Sequence, residues 1–410
     1  MSQELALEYV KNGENVLITG AGGVGKSYVV KQCINHSTLL SAPSGIAALN
    51  IGGVTCHKAF GLPIGLVTDR DYYVSSKIRD RLFAVTRIII DEVGMLRADY
   101  LDLINYKLQQ VKGNKKLFGG VQMVLVGDFL QLEPIVGYNE GPTFREEYDT
   151  PFAFGANSFR NFKVIELSKV YRQDNKRQVL MLNSIRKKDK WASKAIEYIS
   201  NECKDYDIDD DQLHLCSRKR DAEVINHKWY DRIDEQEISY YAVIQGQFSD
   251  SEKPVPDEIK LKVGAKVLIC ANDIDNTYVN GDRGEVIKLN LNSVIVKLTS
   301  GKTVTVVESE WEKYDYTSVK GSLSKEVVAT YKQMPIKLGW AVTIHASQGL
   351  TLDKIAIDVG QGCFSHGQLY VALSRITDLR NLSFVTPISV RDAIVKQDAI
   401  NFYKGISKNE

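Results

Sequence analysis

The sequence predicts an α/β protein: two parallel-sheet units carrying two small insertions. Three observations carry that prediction. Apolar runs alternate with helical periodicity from Val16 to Leu167, as buried parallel strands and their crossover helices do. The octet Gly20-Ala21-Gly22-Gly23-Val24-Gly25-Lys26-Ser27 has the spacing G-x-x-x-x-G-K-S and stands between an apolar run and a helical stretch. After Leu167 the alternation restarts, and between about 262 and 332 it gives way to short β-rich runs separated by turn signals.

The 410 residues exceed what one hydrophobic core usually organises, which supports the division into domains. A hydrophobic fraction of 44% with 25% charged residues is that of an ordinary globular chain rather than a disordered one. The net charge of +1 implies no global attraction to polyanions, so any nucleic-acid surface is a local one. The six cysteines include no C-x-x-C pair, which argues against a zinc site or a disulfide framework. The start, Met1-Ser2-Gln3-Glu4-Leu5, has no apolar signal region, and no apolar run reaches membrane-spanning length. The expected location is cytoplasm or nucleoid (nucleus in a eukaryote), not secreted and not in a membrane.

In order along the chain, Leu5, Ala6, Tyr9 and Val10 recur at helical spacing and predict a helix over 1–14 that ends at Gly13. Val16-Leu17-Ile18 is the strand before the glycine loop. Thr38–Ser41 is a strand leading into Ala42-Pro43-Ser44-Gly45 and a short helix to Asn50. Glycines 61 and 65 around Pro63, followed by a polar-aromatic stretch, predict an inserted hairpin over 61–80. Arg87–Ile90 is an apolar strand ending in Asp91-Glu92, followed by a helix with Leu96, Tyr100, Leu103, Ile104 and Leu108 on one face. Val121–Val126 and Val164–Leu167 are further strands. A helix is expected from about Arg177 to Lys187, then an acidic run at 202–211, a strand at 213–216 and a helix at 221–233. The β-rich runs at 266–270, 284–288, 293–298 and 303–307 predict a small inserted β-barrel, and α/β character returns from Ile336.

The glycine loop carries the clearest chemistry. Backbone N–H groups turned inward by Gly22, Gly23, Val24 and Gly25 cradle phosphate oxygens, and the following helix presents its positive end to the same anion. Lys26 reaches the β- and γ-phosphates and the Ser27 hydroxyl can ligate Mg²⁺. Asp91, at a strand's C-terminal end, is assigned to the metal, and Glu92 to the attacking water. Gln131, in Gly127-Asp128-Phe129-Leu130-Gln131-Leu132, is assigned to sensing the γ-phosphate; alone, a Gly-Asp turn would be unremarkable. Arg172 and Arg375, both far along the chain from the glycine loop, are expected to enter the nucleotide site as arginine fingers. Thr343-Ile344-His345-Ala346-Ser347-Gln348-Gly349 is a polar loop suited to phosphate or a nucleic-acid backbone.

Taken in order, these segments resemble the helicase motifs of superfamily 1, and most closely its Pif-type, RecD-like branch, superfamily 1B. Gln3 matches the adenine-recognising Q motif, 20–27 motif I, 42–48 with 53–57 motif Ia and its extension, 90–92 motif II, and 127–132 motif III. Arg172 falls in motif IV, 343–349 in motif V and 370–375 in motif VI. The segment from Leu167-Ser168-Lys169-Val170-Tyr171-Arg172-Gln173 to Leu182-Asn183-Ser184-Ile185-Arg186 is similar to the stretch that sets the Pif type apart. The sequence departs from the family where Val24 and Gly94 replace a common threonine and serine, and where Ala346 replaces a common lysine.

The resemblance implies two RecA-like P-loop NTPase domains. The first, 1–165, carries a wedge at about 61–80; the second comprises 166–261 and 335–410, with an SH3-like barrel at 262–334. It implies ATP and Mg²⁺ as cofactors, Gln348 and Gly349 beside the nucleotide, and 5′-to-3′ translocation that unwinds duplex DNA in replication, repair or recombination. G-quadruplex unwinding is a further property of the family. Single-stranded DNA and forked or tailed duplexes are the expected partners of a monomer. The strand contacts are expected at Pro43, Ser44, Gly45, Thr55 and Thr343, with His345 beside them and with His57 and Phe60 stacking on bases. Two alternatives stand beside this reading: an RNA-directed superfamily 1 motor, and a P-loop switch that binds partners without translocating.

Overall fold

The computed structural model describes residues 2–406 except 174, 204–211, 274, 276, 320–321 and 353, so most of the expected acidic run at 202–211 lies outside the described residues. The chain divides into two compact units. The first comprises residues 1–172, 312–329 and 396–410; the second comprises 173–311 and 330–395. No helix among the described residues is long and apolar enough to cross a membrane.

The first unit is built on a parallel sheet of six strands: β1 (Val16–Thr19), β2 (Thr38–Ala42), β3 (Val54–Thr55), β4 (Arg87–Ile90), β5 (Gln122–Gly127) and β6 (Lys163–Glu166), in the order β3-β2-β4-β5-β1-β6. Val16 pairs with Val124 on one side and Lys163 on the other, and Ile89 pairs with Val124 across β4 and β5. Strands β1, β2 and β5 are buried along their whole length, which explains why they read as continuous apolar runs rather than alternating ones. Helix α1 (Gln3–Lys11) is capped by Ser2, whose hydroxyl accepts from the Leu5 N–H, and it ends before Gly13. Helices α2 (Lys26–Cys33), α3 (Gly45–Asn50), α4 (Cys56–Phe60), α5 (Ser76–Phe83), α6 (Ala98–Lys112) and α7 (Gly141–Glu147) follow in the same unit. A parallel sheet gathers its strand C-termini at one edge, so the segments after β1, β2, β4, β5 and β6 converge there.

The hairpin expected over 61–80 is absent. The segment instead forms a 3₁₀ turn at Asp69–Tyr72 and then α5. Ser75 caps α5 by accepting from the Ile78 N–H, and Leu82, at i+4 from Ile78, is buried. The helix-start signal outweighs the two glycines. The apex of the preceding loop is held by the Tyr100 hydroxyl, which donates to the carbonyls of Pro63 and Gly65, and by Lys107 Nζ on the carbonyl of Gly61.

The second unit has its own parallel sheet. Helices α8 (Lys176–Lys187), α9 (Ala192–Glu202) and α10 (Lys219–Tyr230) and strand β7 (Leu213–Cys216) come first. Strands β8 (Ile238–Tyr241), β9 (Val243–Gln245), β10 (Glu258–Leu261), β11 (Lys266–Ile269), β12 (Arg283–Asn290), β13 (Ser293–Leu298) and β14 (Thr303–Val307) then lead to a long hairpin, β15 (Ser309–Val319) and β16 (Ser322–Gln333). Strand β17 (Ile336–Leu338) follows. Strands β18 (Ala341–Thr343), β19 (Ile355–Asp358) and β20 (Leu382–Phe384) pair with β7 in the order β18-β7-β19-β20, all parallel. Helix α11 (Gln368–Leu373) lies between β19 and β20 in sequence. The β-rich stretch is a five-stranded antiparallel sheet, β14-β13-β12-β11-β17, over a core of Val267, Val286, Val296, Val306 and Trp340.

Three expected boundaries are corrected. The first unit runs past 165 to Arg172, because the Tyr171 N–H donates to the Gly23 carbonyl at 2.8 Å. Residues 312–329, most of β15 and much of β16, belong to the first unit rather than to an insertion in the second, because Asp315 of β15 pairs with Arg81 of α5 at 2.7 Å. Helix α12 (Gln397–Ile406) also belongs to the first unit, through the Tyr403 hydroxyl on Asp128 at 3.0 Å.

Candidate nucleotide and nucleic-acid sites

The loop between β1 and α2 has the backbone its glycines permit. Gly23 and Gly25 take φ of +78° and +82°, left-handed values that side chains disfavour. A Cβ on Gly23 would stand 2.5 Å from Cβ of Arg172, and one on Gly25 would stand 2.3 Å from Nε2 of Gln3. Other parts of the first unit therefore press directly on the loop. Gln3 Nε2 donates to the Val24 carbonyl at 3.3 Å, which places Gln3 against the loop backbone. Lys26 folds back, its Nζ donating to the carbonyls of Gly20 and Ala21 at 2.8 and 3.0 Å. Ser27 follows on the first turn of α2 and is exposed, and Gly22 is half-buried.

Asp91 and Glu92 stand at the end of β4. Burial pushes the Asp91 carboxyl up, against the Glu92 N–H that it accepts and the nearby charge of Lys26. A half-buried carboxylate under that penalty, on the strand end beside the loop of Ser27, has the hard-oxygen chemistry of a Mg²⁺ ligand. Glu92 adopts φ 51°, ψ 42°, the left-handed region that costs a non-glycine residue about 1 kcal/mol or more. The glycine at 94 is explained by its neighbour: a Cβ there would lie 2.8 Å from the Asp128 carbonyl, so the turn after β4 and the loop after β5 touch backbone to backbone.

Gln131 lies in that second loop, but it is buried and its Nε2 donates to Asp128 Oδ2 at 3.3 Å. Asp128 Oδ1 also accepts from the Leu130 N–H and the Tyr403 hydroxyl. The two expected arginine fingers lie in different units. Arg172 is in the first unit, half-buried on the glycine loop itself, and does not reach it from the other unit. Arg375 is buried in the second unit; its Nε donates to the Val371 carbonyl, and Nη1 to the carbonyls of Ser347 and Leu350. In this conformation Arg375 braces the 343–350 loop. Within that loop Gln348 is half-buried, and Gly349 is exposed at φ +84° with open space around it.

For the strand-contact candidates, the structure separates two groups. Pro43 and Ser44 are half-buried at the end of β2, with Gly45 opening α3; the Ser44 hydroxyl caps α3 and the Thr55 hydroxyl caps α4. Each such turn presents backbone N–H groups at a helix start. His57 is half-buried edge-on against Tyr100, 5.5 Å between ring centroids, and burial lowers its pKa. Phe60 is 0% exposed, so the expectation that it stacks on bases is wrong: it belongs to the core under α4. In the second unit, Thr343 and His345 line an open groove with Ser217, Arg218, Ala346 and Phe364. The Phe364 ring is 56% exposed, lies 6.5 Å from His345 in a stacked arrangement and has the Arg218 guanidinium 5.7 Å from its centroid. Sequence reasoning missed Phe364 and Arg218. The run Ser217-Arg218-Lys219-Arg220 directly after β7 was the available signal, since basic residues after a parallel strand face the same edge as the 343–349 loop.

A family model described as PIF1-like helicase matches residues 2–197, and a second described as Helicase matches 274–403. The ATP-dependent DNA helicase Pif1 of Bdellovibrio bacteriovorus is 31% identical, over 98% of this chain and 91% of its own length. The crystal structure of Bacteroides sp Pif1 in complex with ADP-AlF4 is 34% identical and superposes with a TM-score of 0.91, covering 99% of this chain and 96% of that one. The same Bacteroides protein bound to ssDNA matches at a TM-score of 0.69, covering 99% and 96%.

Proposed function

The chain belongs to the PIF1-like helicase family, and on that premise we propose that it moves 5′-to-3′ along single-stranded DNA and opens duplexes that carry a 5′ single-stranded tail. It is an ATP-dependent DNA helicase. The observation that carries the reading is the convergence, at one edge of one parallel sheet, of the glycine loop with Lys26, the Asp91-Glu92 turn and the Asp128–Gln131 loop. That set supports phosphoanhydride hydrolysis.

In the proposed mechanism the loop N–H groups of 22–25 and the helix start at Lys26 receive the phosphates, which displace Lys26 Nζ from the carbonyls of Gly20 and Ala21. Ser27 and Asp91 would hold Mg²⁺, which when bound neutralises charge developing on the β- and γ-phosphates. The Glu92 carboxylate accepts the proton of the attacking water; its left-handed backbone fixes where that carboxylate points. Gln131, tethered to Asp128, reads the γ-phosphate position. Arg172 adds positive charge from its seat on Gly23. The helix starts at Ser44 and Thr55 and the groove of Thr343, His345 and Phe364 receive the strand, the last by base stacking.

The test is unwinding of two duplexes that differ only in the polarity of the single-stranded tail. The proposal expects ATP-dependent opening of the 5′-tailed duplex. Preferential opening of the 3′-tailed one sinks it.

A further inference from the structure

The C-terminal helix ends its packing on a residue with no obvious reason to be a tyrosine. Phe402 already anchors α12, its ring stacked on Phe154 at 4.5 Å and edge-on to Phe129 at 5.4 Å. Asp398 bonds to Thr150 and Lys396 pairs with Glu133 at the helix start. The next residue, Tyr403, is also buried, and a phenylalanine there would supply the same ring.

The hydroxyl is what differs, and each of its hydrogen-bonding positions is used. A phenolic oxygen has one proton to give and lone pairs to receive with. It gives its proton to Asp128 Oδ1 at 3.0 Å, receives the Phe129 N–H at 3.2 Å, and is bonded to the Thr19 hydroxyl. Thr19 is the last residue of β1, immediately before the glycine loop. Asp128 and Phe129 follow β5 directly, and Asp128 Oδ2 takes the Gln131 amide. One atom from the far end of the chain therefore ties together the roots of two nucleotide-facing loops. It does so in a buried site, where fixed hydrogen bonds to a carboxylate are worth most.

We infer that Tyr403 is a positioning residue for ATP hydrolysis: its hydroxyl sets the Asp128 carboxylate, and through it Gln131, against the end of β1. The inference rests on the helicase reading above. Tyr403 is buried and acts through Asp128.

The experiment is steady-state ATP hydrolysis with and without oligo-dT, on the full chain, for the wild type, Tyr403→Phe, Phe402→Leu, Gln131→Ala and the double variant Gln131→Ala/Tyr403→Phe. Thermal unfolding of each is recorded alongside. Tyr403→Phe is expected to lower oligo-dT-stimulated kcat roughly tenfold to a hundredfold, the loss associated with a hydrogen bond to a charged group, with KM for ATP nearly unchanged. Phe402→Leu loosens the same helix but keeps the hydroxyl, and it is expected to lower the unfolding temperature while retaining kcat. In the Gln131→Ala background Tyr403→Phe is expected to cost little more, because both act through Asp128. A kcat within about twofold of wild type for Tyr403→Phe overturns the inference and leaves the helicase reading standing. So does a loss with Phe402→Leu as large as that with Tyr403→Phe, or fully multiplicative effects in the double variant. Absence of oligo-dT stimulation in the wild type overturns the helicase reading and this inference with it.

Discussion

Asp315→Ala should destabilise the first unit by about 3–5 kcal/mol, the usual cost of stripping one partner from a buried ion pair. Arg81 is 2% exposed, and its guanidinium grips Asp315 Oδ1 through Nε at 2.9 Å and Nη2 at 2.7 Å. Its Nη1 is held by the carbonyls of Lys58 and Ala59, and these contacts would survive the substitution. What would be lost is the only carboxylate that the guanidinium touches among the described contacts. Lys58 and Lys77 also face Asp315, at 3.5 and 3.8 Å, but Lys77 is exposed and adds little. For a domain of 150–250 residues the loss corresponds to roughly 6–20 °C in unfolding temperature. Differential scanning calorimetry resolves that, and it separates the transitions of the two units where they unfold apart. The double variant Arg81→Met/Asp315→Leu fills the same space without charge and should recover most of the loss. A fall of less than about 1 kcal/mol for Asp315→Ala, or a double variant that is worse than the single one, would refute the account of a buried, coupled pair.

The same aspartate gives the first unit an acid-sensitive component. Burial raises its carboxyl, but Arg81 and Lys58 outweigh that and hold it below the usual range. A depressed acid contributes stability that is full above its unfolded pKa of about 4 and is lost as pH falls through the lower folded value. Unfolding temperature followed from pH 7 to 3 should therefore drop more steeply in wild type than in Arg81→Met/Asp315→Leu. Glu92→Gln should cut oligo-dT-stimulated ATP hydrolysis by about a hundredfold to ten-thousandfold with ATP binding retained, whereas Glu92→Gly should lose activity and gain about 1 kcal/mol of stability by releasing the left-handed strain. Phe364→Ala should weaken single-stranded DNA binding by about 1–3 kcal/mol, read by fluorescence anisotropy on oligo-dT, with unfolding temperature unchanged. Phe60→Ala should do the converse, costing about 3–5 kcal/mol of stability through the cavity it leaves.

Elements with a strong local period were legible in the sequence. The strands Val16–Thr19 and Gln122–Gly127 are buried on both faces and announce themselves as apolar runs, and the glycine loop announces itself by spacing. The carboxylates Asp91 and Glu92 were found because a strand end fixes where they must lie. Contacts between distant parts of the chain were not legible. Nothing near Phe60 distinguishes a stacking ring from a core ring; its burial is decided by how α4 packs in the folded unit. Asp315 and Tyr403 lie 234 and 275 positions from their partners Arg81 and Asp128, and no periodicity spans that distance. Arg172 and Arg375 were recognised as arginines of interest, but their settings, one pressed on Gly23 and one buried under the 343–350 loop, depend on tertiary packing. The turn that became α5 was misread because Gly61 and Gly65 are loud signals, while the Ser75 cap is a quiet one.

The central claim is that hydrolysis at the glycine loop is driven by a DNA strand. The most direct measurement is the ATP hydrolysis rate of wild type and Lys26→Ala, each with and without oligo-dT, on protein shown by circular dichroism to be folded. The account predicts strong stimulation of the wild type and no DNA-dependent hydrolysis by the variant. A Lys26→Ala protein that still hydrolyses ATP in response to oligo-dT, or a wild type indifferent to it, would contradict the account.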